Sequence, residues 1–594
     1  MAESGAVMKR LLFGSMSALV LIVAAAQPAK AADLAPYYKA PAPPWSWAGF
    51  YVGVHSGAMF SGTKFSDPFG SSIYGDVVDV PGYLAGAQAG YNWVVAPGWI
   101  AGLEVDGSFV SSDGSNTCLQ FSADFVGSNC RVNTRAMGTF TGRLGFTIGP
   151  ANRTLIYGKG GLAWIRNDVA IDGANNFFDG FPQSTTRARY TAWGGTVGAG
   201  VERALTPAWS LKFEYDYLRF AKHDVATPTS IVVSPAGVLT AVVGPNTTSI
   251  TQDAHVFKVG LNYKVGADPW EVWPVAPAYP AYPVKGAYKA PPPAWVPGWE
   301  VEVGARYWMS SGKYQWDNFF IPNVIESRLT YSRLTGHAGE IFGRVDTPLN
   351  VFVKGFIGTG SVTSGRMNDE DWGIPVGFAA ASTSYTNTIS DPVKGPINYA
   401  TVDIGFNTAR GPGYKAGPFI GYNYYREVLH AYGCAQIANP DSGICAPSVP
   451  NSVLAITQTA EWKSLRLGYA GELMLTDRVK VTGDIAYLPY VQFDGRDDHH
   501  LRDVPTFFTQ WSRKGQGVQT ELLFSYFVTP NFNLGAGGRY WAMWTKDGQF
   551  NCTGCDGAGV TSFPPNPSKN STERYGVFFQ GSYRFGVGPV VATN

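Results

Sequence analysis

Leu211, Phe213, Tyr215 and Tyr217 alternate with Lys212, Glu214 and Asp216. Successive side chains of an extended chain point to opposite sides, so this period sets an apolar face against a polar one. The same alternation predicts strands over about 48–60, 82–95, 98–112, 136–148, 154–167, 190–204, 208–221 and 254–265. A second series follows over about 299–312, 327–346, 351–365, 398–409, 415–430, 456–474, 479–497, 511–528, 532–545 and 573–585. The connections alternate in length. Ala96-Pro97, Gly149-Pro150-Ala151-Asn152 and Thr206-Pro207 are short turns, whereas 61–81, 113–135, 168–189 and 222–253 are long loops. Thr347-Pro348, Gly411-Pro412-Gly413, Thr476-Asp477 and Thr529-Pro530-Asn531 repeat the rule in the second series.

Two-sided strands with short turns at one end and long loops at the other predict an all-β chain. The expected fold is two transmembrane antiparallel up-and-down β-barrels, eight-stranded and then ten-stranded. A soluble β-sandwich has no reason to sort its loops this way. Even strand counts return both ends of each barrel to the short-turn, periplasmic side.

Composition sharpens this picture. Charged residues are 15% of the 594, against about 25% in ordinary soluble domains. Aromatics reach 14%, and Gly occurs 71 times without a triplet period, which excludes collagen. The apolar content of 45% excludes a disordered chain. A net charge of +1 speaks against a nucleic-acid surface.

Residues 1–31 read as a signal peptide: Lys9 and Arg10, an apolar run from Leu11 to Ala26, then Ala29-Lys30-Ala31 as the cleavage site near Ala31. Beyond it no apolar run is long enough for a spanning helix, and lipid then admits only a closed barrel. The expected organisation is a Pro/aromatic-rich segment 32–46, a first barrel 47–265, a Pro-rich periplasmic linker 266–297, a second barrel 298–585 and a tail 586–594. The phrase Tyr38-Lys39-Ala40-Pro41 returns as Tyr288-Lys289-Ala290-Pro291, marking the start of each module. Six cysteines form three close pairs, Cys118/Cys130, Cys434/Cys445 and Cys552/Cys555, each inside one long loop. Local bridges in an oxidising compartment are the simplest reading, and no metal site is expected.

The first module carries little chemistry. Its opening Trp47-Ala48-Gly49-Phe50-Tyr51-Val52-Gly53 and closing His255-Val256-Phe257-Lys258-Val259-Gly260-Leu261-Asn262-Tyr263 resemble the small eight-stranded OmpA-like and opacity-type surface-antigen barrels, over about 45–265. The resemblance implies an anchor, adhesin or narrow-pore role. Glu104, Arg143 and Lys159 are expected to plug its interior, since eight strands enclose only enough room for side chains.

The second module holds two acidic clusters, Asn368-Asp369-Glu370-Asp371-Trp372 and Arg496-Asp497-Asp498-His499-His500. Residues two apart on a strand share a face, so Asp369 pairs with Asp371, and Asp497 with His499. A histidine beside a carboxylate is held in one tautomer and can take a proton from water, while two further carboxylates hold that water. Solvated loop charge is the bland alternative. Metal capture by the His-containing cluster is another. A calcium loop fails because Ala380 stands at its twelfth position. Asp498 and His500 form a second Asp-x-His pair, one residue out of register.

Asp369-x-Asp371-Trp372, Asp497-x-His499 and Tyr526-Phe527-Val528-Thr529-Pro530-Asn531 together resemble the omptins, ten-stranded outer-membrane proteases, over about 298–585. The resemblance implies an aspartic-type endopeptidase at the cell surface of a Gram-negative bacterium, acting on peptides or proteins. Asp497 and His499 would activate water, Asp369 and Asp371 would position it, and no acyl-enzyme would form. It also implies lipopolysaccharide as an activator, with Tyr422, Arg426 and Arg513 at matching positions, although Tyr424 stands where the family has Glu. The acids that grip a basic substrate residue are replaced by Trp316 and Gly495; the adjacent Asp317 and Asp494 are the candidates to substitute. The competing expectation is a non-enzymatic surface protein, an adhesin or porin, with relic motifs.

Overall fold

A computed structural model describes residues 45–70, 72, 74–119, 127–149, 152–173, 184–233, 239–269, 297–372, 385–438, 445–555 and 565–586. The expected signal peptide, most of the segment 32–46, most of the linker 266–297 and the tail beyond Gly586 lie outside the described residues.

The first barrel is built from Gly49–Phe65, Val77–Ala96, Trp99–Ser112, Ser128–Ile148, Thr154–Asp172, Thr185–Ala204, Trp209–Phe220 and Thr247–Lys264. Each pairs antiparallel with the next, and the first closes on the last from Tyr51↔Lys264 to Phe65↔Ile250. Closure gives every backbone group of the wall a partner, which lipid demands. The alternation falls as expected: Lys212, Glu214 and Asp216 are buried inside. Lys159 Nζ lies 3.0 Å from Glu214, Lys212 Nζ 2.9 Å from Glu104, and Arg143 Nη1 3.2 Å from Glu202. Buried charges are tolerated only when paired, and here they fill the lumen in pairs.

The second barrel has ten wall positions. Seven are single strands: Glu300–Ile321, Val324–Asp346, Val351–Asp371, Tyr414–Ala438, Val449–Met474, Val479–His499 and Asn566–Phe585. Three are broken in two, as Thr386–Ser390 with Val393–Phe406, Thr506–Ser512 with Gly515–Phe527, and Phe532–Thr545 with Gly548–Thr553. Glu300–Ile321 closes on Asn566–Phe585 from Val301↔Phe585. The expected all-β pair of antiparallel barrels, eight-stranded and ten-stranded, is thus the observed fold. An exposed apolar belt, including Val353 and Ile357 on one strand and Tyr490 on another, girdles the outer wall. The strands run well past this belt at the long-loop end. The sequence pattern ends several strands early there, because beyond the belt polar residues occupy both faces and the alternation disappears.

Two features of the wall bear on the site. First, 113–135, read as a long loop, contains the strand Gly114–Cys118, paired with the start of Ser128–Ile148 and bridged by Cys118–Cys130. Second, the barrels pack side by side. Phe60 meets Tyr540 at 4.8 Å between ring centres, and Tyr83 stacks on Tyr487 at 4.4 Å. Phe213 reaches so close to Gly471 and Gly483 that a Cβ on either would stand 3.0 or 3.2 Å from its ring. Only glycine gives that approach without displacement.

Candidate active site

The strand Val351–Asp371 carries one half of the site. Asp369 and Asp371 turn into the barrel and line a cavity of about 540 Å³ at its long-loop end. Ser327, register partner of Asp371 on the neighbouring strand, donates its hydroxyl to the Asp371 carboxylate. Glu370, between the two acids, turns outward by the same alternation. Its carboxylate accepts from Tyr385 Oη at 2.6 Å and from Thr117 Oγ1 of the first barrel at 2.8 Å.

The strand Val479–His499 carries the other half, four wall positions away around the ring. His499 lines the same cavity, and its Nε2–H donates to Asp497 Oδ2 at 2.7 Å. Asp497 is fully buried. Because the carboxylate can only accept, this bond makes Nδ1 the basic nitrogen of a neutral ring. The one-residue alternative is turned the other way. Asp498 is held outside by Arg496 at 2.7 Å, and His500 meets Thr457 at 2.9 Å. The ring of Phe508 stands 5.2 Å from that of His499 and 5.3 Å from that of Trp316, so packing as well as the hydrogen bond to Asp497 fixes the imidazole.

The site lies beyond the apolar belt, and its acids are perturbed. Burial pushes Asp369 well above the usual carboxylate range; the charges of Asp371 and Asp497 push the same way, and Arg502 opposes them. Asp371 is raised too, by burial, against the pull of the Ser327 hydroxyl, Arg502 and His499. Two carboxylates facing one cavity near a third resist ionising together.

Arg502, Ser327 and Phe508 were not among the sequence candidates. Arg502 follows His499 by one tight turn and could have been suspected. Ser327 and Phe508 reach the site only through strand register, which single-chain spacing does not reveal. Tyr331 is a further such residue: its buried hydroxyl has no hydrogen-bond partner among the described residues and feels both Asp497 and Asp369.

Trp316 lines the cavity with Leu329, Met367, Ile456 and Phe508. Gly495 does not line it. The expectation that Asp317 or Asp494 replaces the missing pocket acids is corrected by the structure. Asp317 points out of the barrel into a 2.7 Å bond with Arg328 and accepts from Ser115 at 2.8 Å. Asp494 sits on the outer wall, 2.7 Å from Arg513. Neighbours on a strand face opposite ways, and no bulge intervenes to reverse either one.

Tyr422, Arg426 and Arg513 lie on one outer face. Tyr422 and Arg426 share a strand, and the register carries the patch through Arg426↔Glu461 and Glu461↔Asp494 to Arg513. Lys463 lies among them, 2.5 Å from Glu461.

Comparison with known proteins follows the two barrels. Residues 16–264 match the family described as outer membrane protein beta-barrel domain, and residues 330–560 match the Omptin family, an outer-membrane protease family. The 31 kDa outer-membrane immunogenic protein of Brucella melitensis is 31% identical over 266 residues, covering 43% of this chain and 100% of that protein. Its Brucella suis counterpart matches equally. Among solved structures, the outer membrane protease OmpT from Escherichia coli is 17% identical over 48% of this chain and 97% of its own, with a TM-score of 0.41. The attachment invasion locus protein Ail of Yersinia pestis is 11% identical over 36% of this chain and 98% of its own, with a TM-score of 0.17. The chain therefore belongs to the outer-membrane β-barrel proteins, with a first barrel of the family that includes the Brucella immunogenic proteins and an omptin-family domain as its second.

Proposed function

We propose that the second barrel is an endopeptidase that hydrolyses peptide bonds at the cell surface, with its long loops facing outward. The observation that carries this reading is one cavity lined by Asp369 and Asp371 from one strand and by an Asp497-bonded His499 from another. A water between them loses its proton to His499 Nδ1 as its oxygen adds to the scissile carbonyl carbon. Asp497 stabilises the imidazolium so formed. Asp369 and Asp371, not both ionised, hold the water and donate toward the developing oxyanion. The imidazolium then returns its proton to the leaving amine, and no bond to the enzyme is made.

The pocket beside these groups is apolar and aromatic, with Arg502 as its cation. This supports cleavage beside apolar or acidic residues rather than between paired basic ones. Tyr422, Arg426 and Arg513 are the proposed contacts for a lipopolysaccharide phosphate, which an arginine can grip with two parallel hydrogen bonds. Each arginine already faces a carboxylate, so such binding has Glu461 and Asp494 to displace.

The test is cleavage of a mixed peptide library by the full chain in lipopolysaccharide-containing micelles. Wild type cleaves, indifferent to serine-protease inhibitors and chelators. Asp497→Asn and His499→Ala each lose at least about a thousandfold in kcat. Equal turnover in all three proteins removes the dyad from the mechanism.

A further inference from the structure

The first barrel does more than stand beside the second. Its disulfide-bridged hairpin, Gly114–Cys118 with Ser128–Val132, lies against the outer face of the strands that end in Asp371 and begin near Glu326. Thr117 Oγ1 donates to Glu370 at 2.8 Å and accepts from Arg328 Nη1 at 2.9 Å, so one hydroxyl joins two buried charges on adjacent strands. Asn129 Oδ1 accepts from Arg328 Nη2 at 2.6 Å. The carbonyl of Gly127 accepts from Trp372 Nε1 at 2.8 Å, and Ser115 donates to Asp317 at 2.8 Å. Lys569 reaches Asp113 at 2.7 Å, and Lys313 reaches Asp79 at 2.9 Å. Glu370 and Arg328 are register partners and both are fully buried.

Without the hairpin Arg328 would keep Asp317 and Glu370 would keep Tyr385, but the hydroxyl that links the two across the strand pair would be gone. With it, the segment Asn368–Trp372 is gripped at alternate side chains, Glu370 and Trp372. The side chains in between, Asp369 and Asp371, are those that face the cavity. A strand end held from outside cannot fray, and its inward side chains keep one geometry.

We propose that the outer hairpin of the first barrel positions the Asp369/Asp371 pair from behind, with Thr117 as the positioning residue. This rests on the reading of the cavity as a hydrolytic site. It gives the fusion of the two barrels a physical role: the first barrel supplies in the same chain a brace that sets the acids of the second.

The experiment uses the full chain in micelles with a peptide that wild type cleaves. Thr117→Val keeps the shape and removes the hydroxyl. Thr117→Ser restores it, and Ser111→Ala breaks a separate contact between the barrels, to Gln516. Steady-state kinetics and amide hydrogen exchange over 367–372 are measured together. Thr117→Val is expected to lower kcat roughly tenfold at unchanged KM and to speed exchange over 367–372. Thr117→Ser returns both toward wild type, and Ser111→Ala changes neither. Unchanged exchange in Thr117→Val overturns the proposal whatever kcat does, as does an equal effect from Ser111→Ala. If no protein cleaves, including wild type, the proposed hydrolysis fails, and the exchange data still decide whether the hairpin holds the strand.

Discussion

At the scale of single residues, the site is costly to fold. Asp369 is held half-buried beside Asp371, with Asp497 also near, and its carboxyl binds a proton far more tightly than in the unfolded chain. A carboxyl whose folded pKa is raised contributes most below its unfolded pKa, and that contribution is lost as pH climbs through the folded value. The contribution of Asp369 to stability should therefore fall as pH rises above the ordinary carboxylate range. Asp369→Asn, which keeps the shape without the charge, should melt at a higher temperature at pH 8. The gain should vanish near pH 4, where both forms are neutral. Thermal unfolding at the two pH values checks this; a variant no more stable than wild type at pH 8 contradicts it. The four residues on which the reading turns were legible in the sequence because each pair lies two apart on one strand, where spacing alone fixes the face. Ser327 and Thr117 were not legible, since each meets its acid across a pairing that joins distant parts of the chain.

At the scale of strands, the alternation of apolar and polar residues located the wall positions of both barrels but not their long-loop ends. The pattern is written by lipid on one side of the wall. Where Val351–Asp371 leaves the belt, Ser361, Thr363 and Arg366 replace apolar residues, and nothing in the local sequence distinguishes strand from loop. The hairpin at 114–132 went unread for the same reason. The seam between the barrels was equally hidden, because Gly471 and Gly483 look like ordinary strand glycines until Phe213 is seen against them. Gly483→Leu should force that ring aside. Overpacking of this kind costs about 1–3 kcal/mol, so the variant should unfold at a lower temperature than wild type. The double variant Gly483→Leu with Phe213→Ala should recover part of the loss. Unaltered unfolding of Gly483→Leu would mean that the two walls do not meet there.

At the scale of the whole molecule, two closed cylinders divide the work between them. The lumen of the first is filled by paired charges, and that of the second is blocked beneath the cavity by groups such as Trp308, Trp541 and the Arg539–Glu340 pair at 2.8 Å. The cavity at the long-loop end, lined by Asp369, Asp371 and His499, is where the proposed chemistry is placed. The central claim is that two strands on different sides of that cavity act on one water. Groups that act as a unit are strongly non-additive when removed together. The decisive measurement is kcat for one cleavable peptide in wild type, Asp369→Asn, His499→Ala and the double variant. Each single change should cost at least about a thousandfold, and the double should cost little more than the worse single one. Losses that multiply, or single variants that turn over like wild type, would contradict it.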